Sequence, residues 1–291
     1  MSDPVSSLFG SLTAAVEREF RQASTTSLLA TGAVIVGLAA VAVEAGWTAR
    51  DPSEWRAVLH RARTALIMAA GAVAVGFGYS AVIRRLWPIV GSVCPDRISG
   101  FWAGHRWVGA AAAFVVWDGV GWLYHAVGHH TAVGWAAHRP HHTGTVFDLT
   151  LGLRESWTPV HGLVVQPLAA LLGFPLRTVI ACSIVSNLLQ LLQHTRAPVR
   201  LPTIVSAVVM TPAAHRQHHR IDLNGRNRAV NLGPVFTVWD RMAGTWAAPS
   251  YGPAAIADQA VAASSNVLQL EFAGWLELLA RQRSSGAAEA V

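Results

Sequence analysis

Apolar residues in this chain come in long unbroken runs, not in the period-two alternation of a half-buried strand, so the pattern predicts helices. Ser27 to about Trp47 is apolar with Glu44 its only charge, and Ala65 to Ile83 is closed by Arg84-Arg85 and Trp87-Pro88. Trp107 to Tyr124 is interrupted only by Asp118. Val160 to Phe174 and Leu176 to Leu192 form a pair around the turn Gly173-Phe174-Pro175. Each run approaches the ~20 residues that cross about 30 Å of hydrocarbon. An all-α integral membrane protein with about four to five transmembrane helices is expected.

Polar stretches divide the runs. Residues 1–24 read as an amphipathic lead, 50–63 as a polar connection and 87–106 as a mixed loop broken by Pro88 and Pro95. TGTVFDLTLGLRESWTP, after His142, is polar enough to lie at the surface. Leu201 to Met210 is apolar but too short to span, which suits an interfacial segment. Residues 254–283 carry a helical spacing of Leu268, Phe272, Trp275, Leu276 and Leu279, for a helix on the membrane or against the catalytic cap. The last eight residues read as disordered. Three units follow: 1–106, with the lead and the first two spans; 107–250, the chemical core; and 251–291, the C-terminal helix and tail.

Composition sharpens this picture. Of 291 residues 52% are hydrophobic and 13% charged, half the charge of an ordinary soluble domain. All 22 basic residues are Arg, and they flank apolar runs instead of forming a dense tract with interleaved aromatics, so the net charge of +6 does not point to nucleic acid. Two isolated cysteines make no disulfide framework. The N-terminus lacks a basic region leading into an apolar core, so no cleavable signal peptide is expected. Arg139, Arg154, Arg196, Arg200, Arg216, Arg220, Arg226, Arg228 and Arg241 lie in the connections after the third run, against Arg177 alone at the hairpin tip. That asymmetry puts those connections on the cytoplasmic side.

The same connections hold the candidate chemistry. Six of the 13 histidines fall between Asp118 and His142: His125, His129 and His130, then His138, His141 and His142. His215, His218 and His219 repeat the HxxHH spacing, and His194 follows the hairpin. Imidazoles three or four residues apart share one helix face. Ten such residues exceed the four ligands of a structural zinc site or the three of a catalytic one. There is no HExxH and no Glu-x-x-His pair, so the ligand count favours a histidine-rich dinuclear site for iron, copper or zinc. Asp118, two helical turns before His125, is costly in lipid, and with Asp148, Glu155 and Asp222 it is a candidate to accept a second ring N–H. His60, His105 and His161 stand alone and read as surface or capping residues. A rival reading is a non-enzymatic membrane protein that binds or transports a transition metal, whose ligands would line a path through several spans.

In order, YHAVGHH, HRPHH, QHT, TPAAHRQHH, NLG and WDRMAGTW resemble the fatty acid hydroxylase/sterol desaturase superfamily over roughly Asp118 to Trp246. FDLTLGLRES is similar to the branch containing alkylglycerol monooxygenases and C-5 sterol desaturases. The resemblance implies a cytoplasmic helical cap carrying two non-haem iron ions, with O2 as co-substrate, that hydroxylates or desaturates a fatty acyl, sterol-like, carotenoid or ether lipid. It assigns His125, His129 and His130 to the first box, His138, His141 and His142 to the second, His215, His218 and His219 to the third, and His194 to the lone histidine after the hairpin. Arg154, Asn231 and Asp240 match polar positions expected, with Asp118, to support the ligands from behind. HHTGT stands where relatives often have HHSSE, NLG where they have NYG, and Gln190 where fatty-acid hydroxylases can place another histidine. With no GxGxxG and no CxxC, electrons are expected from an external ferredoxin, cytochrome or reductase.

Overall fold

The computed structural model describes residues 32–49, 52–158, 160–220, 229–249 and 266–288. The described residues form twelve helices and a 3₁₀ turn, joined by one isolated bridge between Val209 and Phe236. Helix α1 (Gly32–Thr48) precedes α2 (Pro52–Gly91), α3 (Asp96–Gly104), α4 (Arg106–His130) and α5 (Ala132–His138), which leads into the 3₁₀ turn Arg139–His142. Then come α6 (Leu149–Gly152), α7 (Val160–Leu171), α8 (Leu176–Gln193), α9 (Thr203–Ser206), α10 (Pro212–His218), α11 (Val238–Ala243) and α12 (Val267–Ala288).

Three helices, α2, α4 and α8, are long and apolar enough to cross a membrane, and α1 and α7 are shorter apolar helices. Outward-facing apolar side chains mark them: Phe77 is 72% exposed and Trp107 74%. A helix that hides its backbone hydrogen bonds but shows apolar side chains suits lipid. Inside, Ala113 and Trp117 of α4, Val165 and Ala169 of α7, Phe174 of the turn, and Val179 and Cys182 of α8 form one core. The hairpin turn rests on Gly173, at φ +75°, where a Cβ would fall 2.6 Å from Cys94 Sγ.

Several expectations change. The polar connection expected at 50–63 is helical from Pro52 and continues into the 40-residue α2, because its charges sit on an exposed helix surface and nothing in 53–63 breaks the helix. The mixed loop at 87–106 contains α3, which starts right after Pro95, and α2 itself runs past Pro88 to Gly91. Residues 143–154 do not lie at the surface: Thr143, Phe147, Asp148, Leu149, Thr150, Leu151 and Arg154 are buried. Their polar atoms are internally partnered, which is why a polar string can be core. Helix α12 extends to Ala288, into the stretch read as disordered, and it packs on α5, the 3₁₀ turn and α2. The lead 1–24 and Asp222 lie outside the described residues.

Candidate metal centre

Short capped helices carry the histidines. Thr131 caps α5 by accepting from Gly134 N at 3.0 Å; Thr211 caps α10, with Pro212 at its first position, accepting from Ala214 N at 3.2 Å. Helix α4 delivers His125 and His129 at its C-terminal end, and His194 ends α8. Helices α4 and α5 meet at Gly128, where a Cβ would lie 3.2 Å from His138 Cβ. Gly152 performs the same service for α6, since a Cβ there would stand 2.9 Å from His194 Nδ1.

Nine histidines converge in two groups, His125, His129, His138, His142 and His218 in one, and His141, His194, His215 and His219 in the other, with the candidate ligand atoms of each group within 4.8 Å of one another. Helical geometry explains the division. At about 100° per residue, positions i and i+4 differ by about 40° and i and i+3 by about 60° in the opposite sense. Hence 125/129 and 215/219 each stay together and His218 crosses to the other group; in the second box, where His141 and His142 lie on the 3₁₀ turn, His142 joins His138 and His141 joins the other group. Each HxxHH therefore feeds both groups. His130 is the one expected ligand left out: it follows His129 directly, points elsewhere around α4 and is exposed.

Spacing tests whether these residues fit metal ions. An ion bound at about 2.1 Å holds cis imidazole nitrogens about 3.0 Å apart at a right angle and about 3.4 Å apart at the tetrahedral angle. Here His142 Nε2 lies 3.0 Å from His138 Nε2 and 3.2 Å from His218 Nε2. In the second group His194 Nε2 is 3.2 Å from His141 Nε2, 3.2 Å from His219 Nε2 and 3.1 Å from His215 Nε2. His194 donates its Nδ1–H to Gln190 O at 2.8 Å, so its Nε2 presents a lone pair to three other ring nitrogens. Such crowding of lone pairs is relieved by a cation. His125 Nε2 and His129 Nε2 are also buried with no hydrogen-bond partner. The donor set fits two metal ions.

Burial holds these imidazoles neutral, as ligands must be. His138, His141, His142, His215, His218 and His219 are all well below the ordinary histidine range, burial first and neighbouring imidazoles second. His194 falls to about 4, burial outweighing its bond to the Gln190 carbonyl.

The supports behind the ligands differ from expectation. Among the described residues no carboxylate receives a ring N–H; backbone carbonyls do, Leu232 O from His125 Nδ1 at 2.7 Å and Val230 O from His218 Nδ1 at 2.9 Å. The carboxylates act one step further out, on the loop that offers those carbonyls. Asp240 accepts from Leu232 N and Gly233 N at 2.8 Å each and from Thr245 Oγ1 at 2.6 Å. Asp118 accepts from Val235 N, Phe236 N and Trp239 Nε1 at 2.8, 3.1 and 2.8 Å. Asn231, at φ +53°, donates to Ala214 O and Ala247 O. Arg154 donates to Thr143 O at 3.0 Å, beside the second box. Asp148 caps α6 and pairs with Arg61 at 3.1 Å instead of touching an imidazole. Gln190 turns its side chain to Ser186, so it takes no ligand position.

Residues 110–245 match the fatty acid hydroxylase family. That stretch and the relatives below support the fatty acid hydroxylase/sterol desaturase superfamily. It is similar to alkylglycerol monooxygenase of Danio rerio, 33% identical over 133 residues that make 44% of this chain and 28% of that protein. The Homo sapiens alkylglycerol monooxygenase is 30% identical over 143 residues, 47% of this chain and 30% of that protein, and the Caenorhabditis elegans one 27% over 140 residues, 45% and 26%. The chain thus covers under a third of these relatives' length. No solved structure matches it. The hydroxylase match holds all nine converging histidines and omits α1, α2 and α12, which nonetheless reach the site. Glu44 of α1 accepts from Leu149 N of α6 at 2.7 Å and, right after His194, from Thr195 Oγ1 and Arg196 N at 2.6 Å each. Sequence reading had noted Glu44 only as the one charge in an apolar run; the cost of a carboxylate there was the signal that it serves the site. Arg139, within the second box, donates to Glu277 of α12 at 2.7 Å.

Proposed function

We propose that this chain is a membrane-embedded, O2-dependent di-iron enzyme that hydroxylates or desaturates a lipid, with its histidine face on the cytoplasmic side. The observation that carries the proposal is the pair of imidazole groups, spaced as cis ligands, in which short helices bring six histidines to His125, His129 and His194 at the ends of two helices long and apolar enough to cross a membrane. His125, His129, His138, His142 and His218 would hold one iron, and His141, His194, His215 and His219 the other. Two bound irons supply the O2 activation and hydrogen abstraction that an unactivated C–H bond requires.

The chain's own part is positioning and exclusion of water. Backbone carbonyls fix ring orientation at His125, His194 and His218. The apolar helices confine the lipid so that one C–H bond meets the histidine groups. Hydroxylation consumes O2, two electrons and two protons and yields the alcohol and water, so an external ferredoxin, cytochrome or reductase supplies the electrons. The relatives are named for alkylglycerols, which makes an ether lipid the first substrate to test. The rival reading, metal transport, expects ligands strung through the spans; both groups among the described residues instead gather at helix ends.

The test is metal analysis of the purified protein, followed by O2 uptake with alkylglycerol, sterol and fatty acyl lipids in nanodiscs. Two irons per chain and lipid-dependent O2 uptake are expected. A single tightly held zinc, or metal flux in proteoliposomes without O2 uptake, overturns the proposal.

A further inference from the structure

A non-helical stretch is laid along α4 in a fixed register. Leu232 O accepts from His125 Nδ1 at 2.7 Å, and Pro234 packs so closely that a Cβ on Gly121 would fall 2.7 Å from its Cγ. Val235 N and Phe236 N donate to Asp118 at 2.8 and 3.1 Å, and the Phe236 ring lies 5.7 Å from that of Phe114. The stretch therefore runs antiparallel to α4, away from the histidines. At 1.5 Å per residue, Asp118 stands about 10 Å and Phe114 about 16 Å from His125 along the helix. Helix α4 is long and apolar enough to cross a membrane. Contact at Phe114 thus reaches about halfway through ~30 Å of hydrocarbon.

Irregular backbone survives at that depth only where protein meets its polar groups. Here protein does. Residues 208–210 return beside 235–237, with Thr237 N donating to Val208 O at 2.9 Å and Met210 N to Val235 O at 2.7 Å. Thr237 Oγ1 donates to Ala207 O at 2.7 Å and Ser206 Oγ to Thr203 O at 3.0 Å. Asp118 takes the amides of Val235 and Phe236, which gives a carboxylate within the span a backbone duty. The outward face is apolar: Ile204 of α9 is 79% exposed and Met242 of α11 77%, with Val208 and Val238 exposed between them. One charge, Arg241, shares this face. Its Nε donates to Ala207 O at 3.1 Å and its guanidinium lies 4.4 Å over the Trp246 ring. Asn231 N donates to Thr245 O at 3.0 Å, which returns Trp246 to the level of the histidines. The cation therefore reaches back toward the water on that side, as a snorkelling arginine does.

We propose that α9, α11 and the paired stretches 208–210 and 235–237 form a re-entrant wedge whose outer face meets the acyl chains of the bilayer. An interfacial segment, as expected for Leu201 to Met210, would stay near the headgroups, whereas the register on α4 sets this one deeper. Acyl chains are the occupant because Val115, next to Phe114 on α4, is exposed as well, so apolar surface continues from the wedge onto a spanning helix at one depth. The inference rests on the membrane part of the reading above and not on its metal chemistry. It places lipid against the loop whose carbonyls orient His125 and His218.

The experiment reads depth from single spin-labelled cysteines in the full chain, reconstituted in phosphatidylcholine nanodiscs. Both native thiols are buried, and a Cys94→Ala/Cys182→Ala background removes them. Collisions with O2, which concentrates in lipid, are compared with collisions with a water-soluble nickel chelate at Ile204→Cys, Met242→Cys and Val115→Cys. Ile204→Cys is expected to favour O2 as strongly as Val115→Cys and to lie within about 5 Å of its depth, roughly three residues of helix rise. Met242→Cys gives a second reading should the Ile204 variant fail to fold. Free collision of the wedge labels with the chelate, while Val115→Cys stays in lipid, overturns the inference. Shielding from both probes, as a partner protein or a second copy would give, overturns it too. A Val115→Cys label that itself meets the chelate instead removes the spanning reading of α4, and the wedge falls with it.

Discussion

Glu44→Gln isolates what an element outside the hydroxylase match contributes to the metal groups. All three partners of this carboxylate donate to it: Thr195 Oγ1 and Arg196 N to Oε1, Leu149 N to Oε2. A glutamine does least damage by placing its carbonyl where Oε1 was. Its NH2 then faces Leu149 N–H, donor against donor. The residue is only 8% exposed, so water does not repair the loss. One buried N–H left unsatisfied costs about 1–3 kcal/mol, and loss of charge assistance on the two remaining bonds adds about 1 kcal/mol. The total, about 2–4 kcal/mol, corresponds to about 30- to 1,000-fold in an equilibrium constant. Since Thr195 and Arg196 follow His194, the penalty falls on the group of His141, His194, His215 and His219. The assay is metal release from the loaded protein into excess chelator, followed as metal per chain over time. Half of the metal should leave faster in the variant and half at the wild-type rate. Unchanged release of both halves, or equal acceleration of both, refutes the reasoning.

Other consequences are more direct. His218→Ala and His219→Ala are neighbours in sequence but should empty different groups, so each should leave about one ion per chain in metal analysis; identical loss of both ions from either variant would contradict the division. Acid should weaken the apoprotein: unfolded imidazoles titrate near 6.5, folded His194 near 4, so between these values the unfolded chain binds more protons and stability falls as pH falls. His194 alone accounts for about 3 kcal/mol over that window, and unfolding midpoints from pH 7.5 to 4.5 should decline; a flat or rising profile would refute it. Gly274→Val should push α12 off α5, because a Cβ there already falls 2.7 Å from Ala136 Cα. Overpacking of this kind costs about 1–3 kcal/mol, read as a lower thermal midpoint with weakened metal retention.

The convergence of the histidines was legible in the sequence because close spacing is local: HxxHH keeps its imidazoles within about one turn whatever surrounds them. His130 shows the limit of that reasoning. Adjacent histidines never share a face, so in HAVGHH only one of the final pair can join His125, and the i+4 member does. In HRPHH and HRQHH both members of the pair are used, because there a second group waits on the other side. Whether a second group is present is a tertiary fact. The supports were legible only as residues. Asp118, Asp240 and Asn231 stand out as polar positions, but that they hold the 230–236 loop, whose carbonyls in turn hold His125 and His218, depends on contacts more than a hundred residues apart for Asp118. The buried 143–154 stretch misled for the same reason: its polar atoms found partners in Arg61, Glu44 and its own turn.

Those long contacts share one direction. The hydroxylase match supplies every converging imidazole, yet three of the loads on it run outward to elements it omits: Glu44 of α1 to the residues after His194, Arg61 of α2 to Asp148, and Glu277 of α12 to Arg139 in the second box. Nine neutral imidazoles gathered in the interior bury polar ring nitrogens, several of them without a hydrogen-bond partner, so the protein must hold them together by other means. Apolar packing does so for α4, α7 and α8. The short α5, α6 and α10 each present too little apolar surface to anchor themselves, and charged bonds from outside brace the first two. The acidic residue in the first apolar run and the helix after the histidine region therefore belong to the scaffold of the candidate metal centre, although neither carries one of the converging histidines.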